Sequence, residues 1–131
     1  MKHPLPLLLL AVFGVAQAET PRQIADGYAA AQGGGFHASP ARGAEFFARK
    51  FGVSEKMPGC TACHTDSPAQ PGRHAITGKD IKPLAPVANA ERFSDPAKVE
   101  KWFKRNCKEV VGRECTAGEK ADFVAFVAEV R

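Results

Sequence analysis

The chain has 131 residues, with 18 Lys and Arg against 14 Asp and Glu and a formal charge of +4. That length suits a single domain. The charges alternate in sign along the chain, as in Glu100-Lys101 and Glu119-Lys120-Ala121-Asp122, with no concentrated basic stripe. A nucleic-acid partner is therefore disfavoured, and a solvated surface with docking patches for a protein is expected.

The N-terminus reads MKHPLPLLLLAVFGVAQAET. Lys2 supplies a positive start, Leu5 to Val15 an apolar run, and Ala16-Gln17-Ala18 a small-residue cleavage site. This pattern predicts a signal peptide over residues 1–18, cut before Glu19. The apolar run is shorter than the ~20 residues a bilayer span needs, and no stop-transfer pattern follows. Residues 19–131 are then one exported domain of charge +3, since only Lys2 is lost. No membrane span is expected after cleavage. The four cysteines suit an oxidising, periplasm-like compartment.

TPRQIADGYAAAQ predicts a first helix, with Thr20 as N-cap, Pro21 at the first helical position, and Ile24 and Tyr28 on one face. Gly33-Gly34-Gly35 breaks it. SPARGAEFFARKF predicts a second helix capped by Ser39, with Gly43, Phe47 and Phe51 on one side. Residues 52–93 hold most of the prolines and few periodic apolar positions, and a loop so long in a compact domain normally wraps something. SDPAKVEKWFKRN predicts a third helix, capped by Ser94 or Asp95, with Val99, Trp102, Phe103 and Asn106 on one face. Thr116 and Glu119 form a capping box opening the last helix, whose stripe is Phe123, Phe126, Val127 and Val130. No useful period-2 run occurs. The fold class is all-α.

Within the long loop lies CTACH, residues 60–64. Two thiols three positions apart with a histidine after the second are what c-type haem attachment requires. Cys60 and Cys63 each form a thioether, and His64 supplies an axial nitrogen. A zinc site using all four cysteines is a poorer reading, because Cys63 and Cys107 are 44 positions apart. A thioredoxin-like redox pair needs a strand–helix context that is absent. The group the loop wraps is thus one covalently attached haem c. A helix bearing Gly43 and Phe47, then CTACH, then an apolar C-terminal helix resembles class I cytochrome c, in which first and last helices cross. Gly43 would permit a close crossing, with Phe47 packing on the last helix.

The sixth iron position is not settled by the residues themselves. No methionine follows His64, and Met57 lies on the attachment segment itself. His74 is within reach along the chain but sits in the polar, turn-like QPGRHAITG; His37 is a weaker candidate. Asn106 ends the Val99/Trp102/Phe103 face, although Asn also suits a helix C-terminus for conformational reasons.

TGKDIKPLAP (77–86), ERFSDPAKVEKW (91–102), RNC (105–107) and GRECTAGEKAD (112–122) together resemble the sphaeroides haem protein (SHP) family. With CTACH they span nearly all of residues 60–122. The resemblance implies a high-spin class I cytochrome c that transfers electrons, with Cys60, Cys63 and His64 holding haem and Asn106 as sixth ligand. It also implies a Cys107–Cys115 disulfide and release of the asparagine on reduction. Oxygen or nitric oxide would bind at the freed iron, and the redox partner would be a dihaem cytochrome c. The alternative is a plain low-spin electron-transfer cytochrome, closed by His64 and His74. No general acid or base can be picked out near the iron, so an enzyme is not expected. Two supporting roles are also expected: Pro83 as carbonyl acceptor for the His64 Nδ1–H, and Arg73, Lys79, Lys82 and Arg92 as partners for haem propionates.

Overall fold

The computed structural model describes residues 17–131, so the signal-peptide segment lies almost wholly outside the described residues. Helix α1 (Pro21–Gln32) begins at Thr20, whose hydroxyl accepts from the Gln23 N–H while the Gln23 side chain accepts from the Thr20 N–H. Helix α2 (Pro40–Ala48) is capped by Ser39. It ends earlier than the periodicity suggests. Arg49 is extended, and the Phe51 N–H donates to the Pro58 carbonyl, which draws the chain off the helix axis. Phe51 therefore packs on Phe46 from outside the helix, with ring centroids 5.2 Å apart.

The long loop holds one short helix, α3 (Thr61–His64), and a hairpin of two two-residue strands that no alternating run announces. Its strands, β1 (Gly72–Arg73) and β2 (Asp80–Ile81), are antiparallel, with Gly72 opposite Ile81 and Arg73 opposite Asp80. Of the two possible caps for α4 (Pro96–Asn106), Asp95 is the one used: its carboxylate accepts from the Lys98 N–H. Residues Cys107–Val111 continue α4 as a π-helical turn, closed by Gly112 in the left-handed conformation. The capping box of Thr116 and Glu119 opens α5 (Ala117–Glu129) as predicted.

Helix α5 is the centre of the molecule, with α1 and α2 packed against it. Ala121, Val124 and Val127 are wholly buried. The Phe123 ring meets Phe47 of α2 at 6.1 Å, Phe93 of the loop at 6.4 Å and Phe103 of α4 edge-on at 5.6 Å. These contacts tie three segments to one aromatic side chain, in arrangements that aromatic pairs favour. The fold is all-α, with α1 and α2 both crossing the last helix, the arrangement that the class I cytochrome c resemblance implies.

The α2–α5 crossing depends on Gly43. A Cβ there would run into the Asp122 carbonyl and the Phe126 Cβ, atoms of the α5 framework rather than a flexible tip. Gly43→Ala should therefore cost about 2 kcal/mol or more through forced separation of the helices. Urea titration should show a lower midpoint with an unchanged slope.

A second tie across the same crossing came from no sequence pattern. Asp122 is 6% exposed. It accepts from the Ser39 N–H at 2.6 Å, from Arg42 Nε at 2.7 Å and from Arg42 Nη2 at 2.8 Å. A buried carboxylate needs such full satisfaction. On the other side of α5, the Tyr28 hydroxyl donates to Glu100 at 2.7 Å, and Lys120 Nζ donates to the same carboxylate at 2.8 Å. Burial opposes ionisation of Glu100, but the two donors outweigh it and hold its pKa below the ordinary value. This joins α1, α4 and α5.

Candidate haem site

Gly59 to His64 forms one tight helical turn. The Ala62 N–H donates to the Gly59 carbonyl at 3.2 Å and the His64 N–H to the Cys60 carbonyl at 3.1 Å. Positions i, i+3 and i+4 share a helix face, so Cys60, Cys63 and His64 project to one side. Thr65, at φ 61°, ends the turn. Neither thiol is oxidised, and both are half-buried. Burial raises the Cys60 pKa to about 11, so a free thiol there is protonated at neutral pH.

Two glycines grip the turn. A Cβ at Gly59 would run into the Arg49 carbonyl, and one at Gly72 into the Cys63 carbonyl. The hairpin that follows Gly72 brings the Ala75 N–H to Cys63 Sγ at 3.2 Å. His74, just before it, accepts at Nδ1 from the Ile76 and Thr77 N–H groups, both at 3.2 Å. Its ring is fastened to its own loop.

His64 is half-buried, and burial with the nearby Arg92 charge lowers its pKa to about 4. The imidazole is thus neutral at pH 7, the state in which a ring nitrogen ligates a metal. Pro83 does not serve as its acceptor. The Pro83 carbonyl accepts from Arg92 Nε at 2.9 Å and from Asn89 Nδ2 at 3.4 Å, while Arg92 Nη2 donates to the Lys82 carbonyl at 2.8 Å. Arg92 is a loop-fastening residue whose role its sequence position did not reveal. Arg73 pairs with Asp80 at 3.2 Å across the hairpin, and Lys79 and Lys82 are exposed.

On α4, Val99 is buried and Phe103 packs against the core, as their spacing predicts. Trp102 and Asn106 stand at the edge of that face and are exposed. The Asn106 amide has no hydrogen-bond partner among the described residues and is free to act as a donor or ligand. Directly after it the chain widens into the π-helical turn, a feature frequent at functional sites. Cys107 and Cys115 form a disulfide that closes this turn, with Cα atoms 5.7 Å apart. Closing a loop of that size stabilises the fold by about 2.5 kcal/mol in the chain-entropy model. A Cβ on Gly112 would press on the Val53 side chain, which brings the end of the turn against the segment leading into CTACH. Cys60, Phe103 and Val111 all border the same apolar core. The donor set of two free thiols, a neutral imidazole and an unengaged amide suits haem c.

A helical chain of class I topology presenting a CTACH turn to an apolar core defines a c-type cytochrome. The family model described as a domain of unknown function, DUF1924, matches residues 33–127. The cytochrome c-type protein SHP of Cereibacter sphaeroides is 46% identical over 109 residues, 83% of each chain. Cytochrome c'' of Methylophilus methylotrophus is 46% identical over 83 residues, covering 63% of this chain and 58% of that one. Among solved structures, oxidised SHP, described as an oxygen-binding cytochrome c, aligns with a TM-score of 0.78 and 45% identity, over 85% of this chain and 97% of that one. Oxidised cytochrome c'' of M. methylotrophus aligns with a TM-score of 0.75 and 35% identity, over 85% and 94%. The chain belongs to the family of SHP-type class I c-type cytochromes. Its class is that of an electron carrier.

Proposed function

We propose that residues 1–18 are removed on export and that residues 19–131 carry one haem c, attached through Cys60 and Cys63 and ligated by His64. When bound, the haem supplies a one-electron iron couple and a position open to oxygen or nitric oxide. Asn106 would hold that position in the oxidised protein and would leave it on reduction. An amide oxygen is a neutral, weak donor that suits ferric better than ferrous iron, and axial-ligand identity is a main lever on such sites. Once released, Asn106 presents an NH₂ donor to an incoming diatomic molecule. The observation that carries this reading is the unengaged Asn106 amide at the junction of α4 and a disulfide-closed π-turn. The related SHP is described as oxygen-binding, and the solution structure of M. methylotrophus cytochrome c'' is described in terms of haem-ligand detachment.

The closed bis-histidine alternative draws less support, because the His74 ring is held by two backbone donors in the hairpin. A dihaem cytochrome c is the proposed electron partner, a role carried over from the family resemblance. Optical spectra of the oxidised and reduced protein, with and without carbon monoxide, test the proposal. Reduction should open the iron, and carbon monoxide should then shift the Soret band. A reduced protein that stays six-coordinate and ignores carbon monoxide would end the gas-binding reading.

A further inference from the structure

The charges that look mixed along the chain are not mixed in space. Residues 96–111 hold five basic and two acidic side chains, a net +3 equal to that of residues 19–131 as a whole. At spacings of three, four and three, Lys98, Lys101, Arg105 and Lys108 line one side of α4, and all are exposed. This is the basic stripe whose absence the linear sequence suggests. Glu100, the acidic residue inside the helix, lies off the stripe and bonds Tyr28 and Lys120. Among the described residues Lys98 and Lys101 form no ion pair, while Arg105 pairs with Glu109 at 3.1 Å and Lys108 reaches Glu114 only at 4.0 Å.

Trp102 stands on the edge of the stripe. It is 43% exposed, with the Arg105 guanidinium 5.7 Å from its ring centroid. Trp and Arg are among the side chains that most often anchor protein interfaces. One helical turn further on is Asn106. The stripe therefore borders the candidate iron position through a single aromatic residue.

We infer that the Lys98/Lys101/Arg105/Lys108 face of α4, with Trp102 at its border, docks an acidic patch of a soluble one-electron donor protein. This rests on the haem reading above and adds the surface through which the electron arrives. One electron passes from the donor's reduced cofactor to the ferric protein, and no bond forms between the two partners; the bond lost on reduction is the Asn106–iron bond of the reading above. Electrostatic complementarity of this kind acts mainly on the association rate. The stripe lies on the side of α4 opposite Val99, so its charges cost the core nothing. A lipid surface is less suited, because the apolar element is one aromatic ring rather than a continuous apolar face.

The test uses the haem-loaded protein and a reduced acidic flavodoxin as donor. Lys98→Glu/Lys101→Glu is compared with Arg22→Glu/Lys50→Glu, which makes the same change in net charge at exposed positions elsewhere. At ~10 mM salt, where the screening length is about 30 Å, the stripe variant should be reduced about tenfold more slowly than wild type. The control should be little changed, and the difference should close at ~1 M salt. Reduction by neutral lumiflavin semiquinone should be equal in all three, which shows the haem site intact. Equal slowing in both variants, or none in either, overturns the proposal. So does loss of pelleting with phosphatidylglycerol vesicles in the stripe variant with flavodoxin reduction unchanged, which would assign the face to lipid headgroups. Carbon monoxide binding is not read in this experiment, so its outcome is separable from the gas-binding reading.

Discussion

Replacing both Cys60 and Cys63 with Ser is expected to yield a chain of polypeptide mass alone. Wild-type material from the periplasm of a maturation-competent host should begin at Glu19 and weigh one haem more. Serine hydroxyls form no thioethers, and the rest of the turn is unaffected, because its hydrogen bonds are made by backbone groups of residues 59 to 65. The Ala75 N–H loses its sulfur acceptor, a small effect at an exposed position. The consequence for the fold is larger. Residues 52–93 contain only one four-residue helix and a hairpin of two two-residue strands, so the haem proposed above would be the main apolar mass they have to wrap. The double variant should show a broadened urea transition, with α1, α2 and α5 still packed through Phe47, Phe123 and Val124. Unmodified Cys60 and Cys63 in wild-type material from such a host would sink the haem reading outright.

Asn106→Ala is expected to change the ferric spectrum and leave gas binding intact. Without the amide, ferric iron has water or nothing in the sixth position. The substitution should not disturb the fold: Asn106 is exposed, its side chain makes no hydrogen bond among the described residues, and Ala is the better helix former. In the reduced protein, any competition between the amide and the gas disappears. Carbon monoxide affinity then rises by the reciprocal of the fraction of sites the amide had left open. His74→Ala should change neither property, since that ring's contacts are to its own loop. If His74→Ala alters the ferric spin state and Asn106→Ala does not, the bis-histidine alternative replaces the present one. Both variants are read by the same optical titration.

The helices and their beginnings were legible because each depends on chemistry within four residues. Thr20, Ser39 and Thr116 cap their helices as their neighbours dictate, and the Asp95 cap was one of two adjacent choices. The Val99/Phe103 and Phe123/Val127 stripes follow from helical period alone. CTACH is equally local, since one turn of helix brings its two thiols and imidazole to one side.

What lay beyond local reach was the pairing of groups far apart in the chain. Asp122 looks like one of many surface acids until α5 crosses α2 and buries it against Ser39 and Arg42, some 80 positions away. Pro83 was expected to serve His64, but the fold gives its carbonyl to Arg92. The hairpin over Cys63 rests on four strand residues, too few for a period to register. The basic face of α4 escaped notice because Glu100 interrupts it in sequence while bonding Tyr28 and Lys120 in space. By itself the sequence determined the helices, their caps, the haem-attachment turn and the all-α class, because backbone geometry and short spacings decide those. Only the tertiary structure decided which charges neutralise one another and which remain facing outward. Burial and side-chain pairing depend on how the elements are placed together, and no window of neighbouring residues contains that.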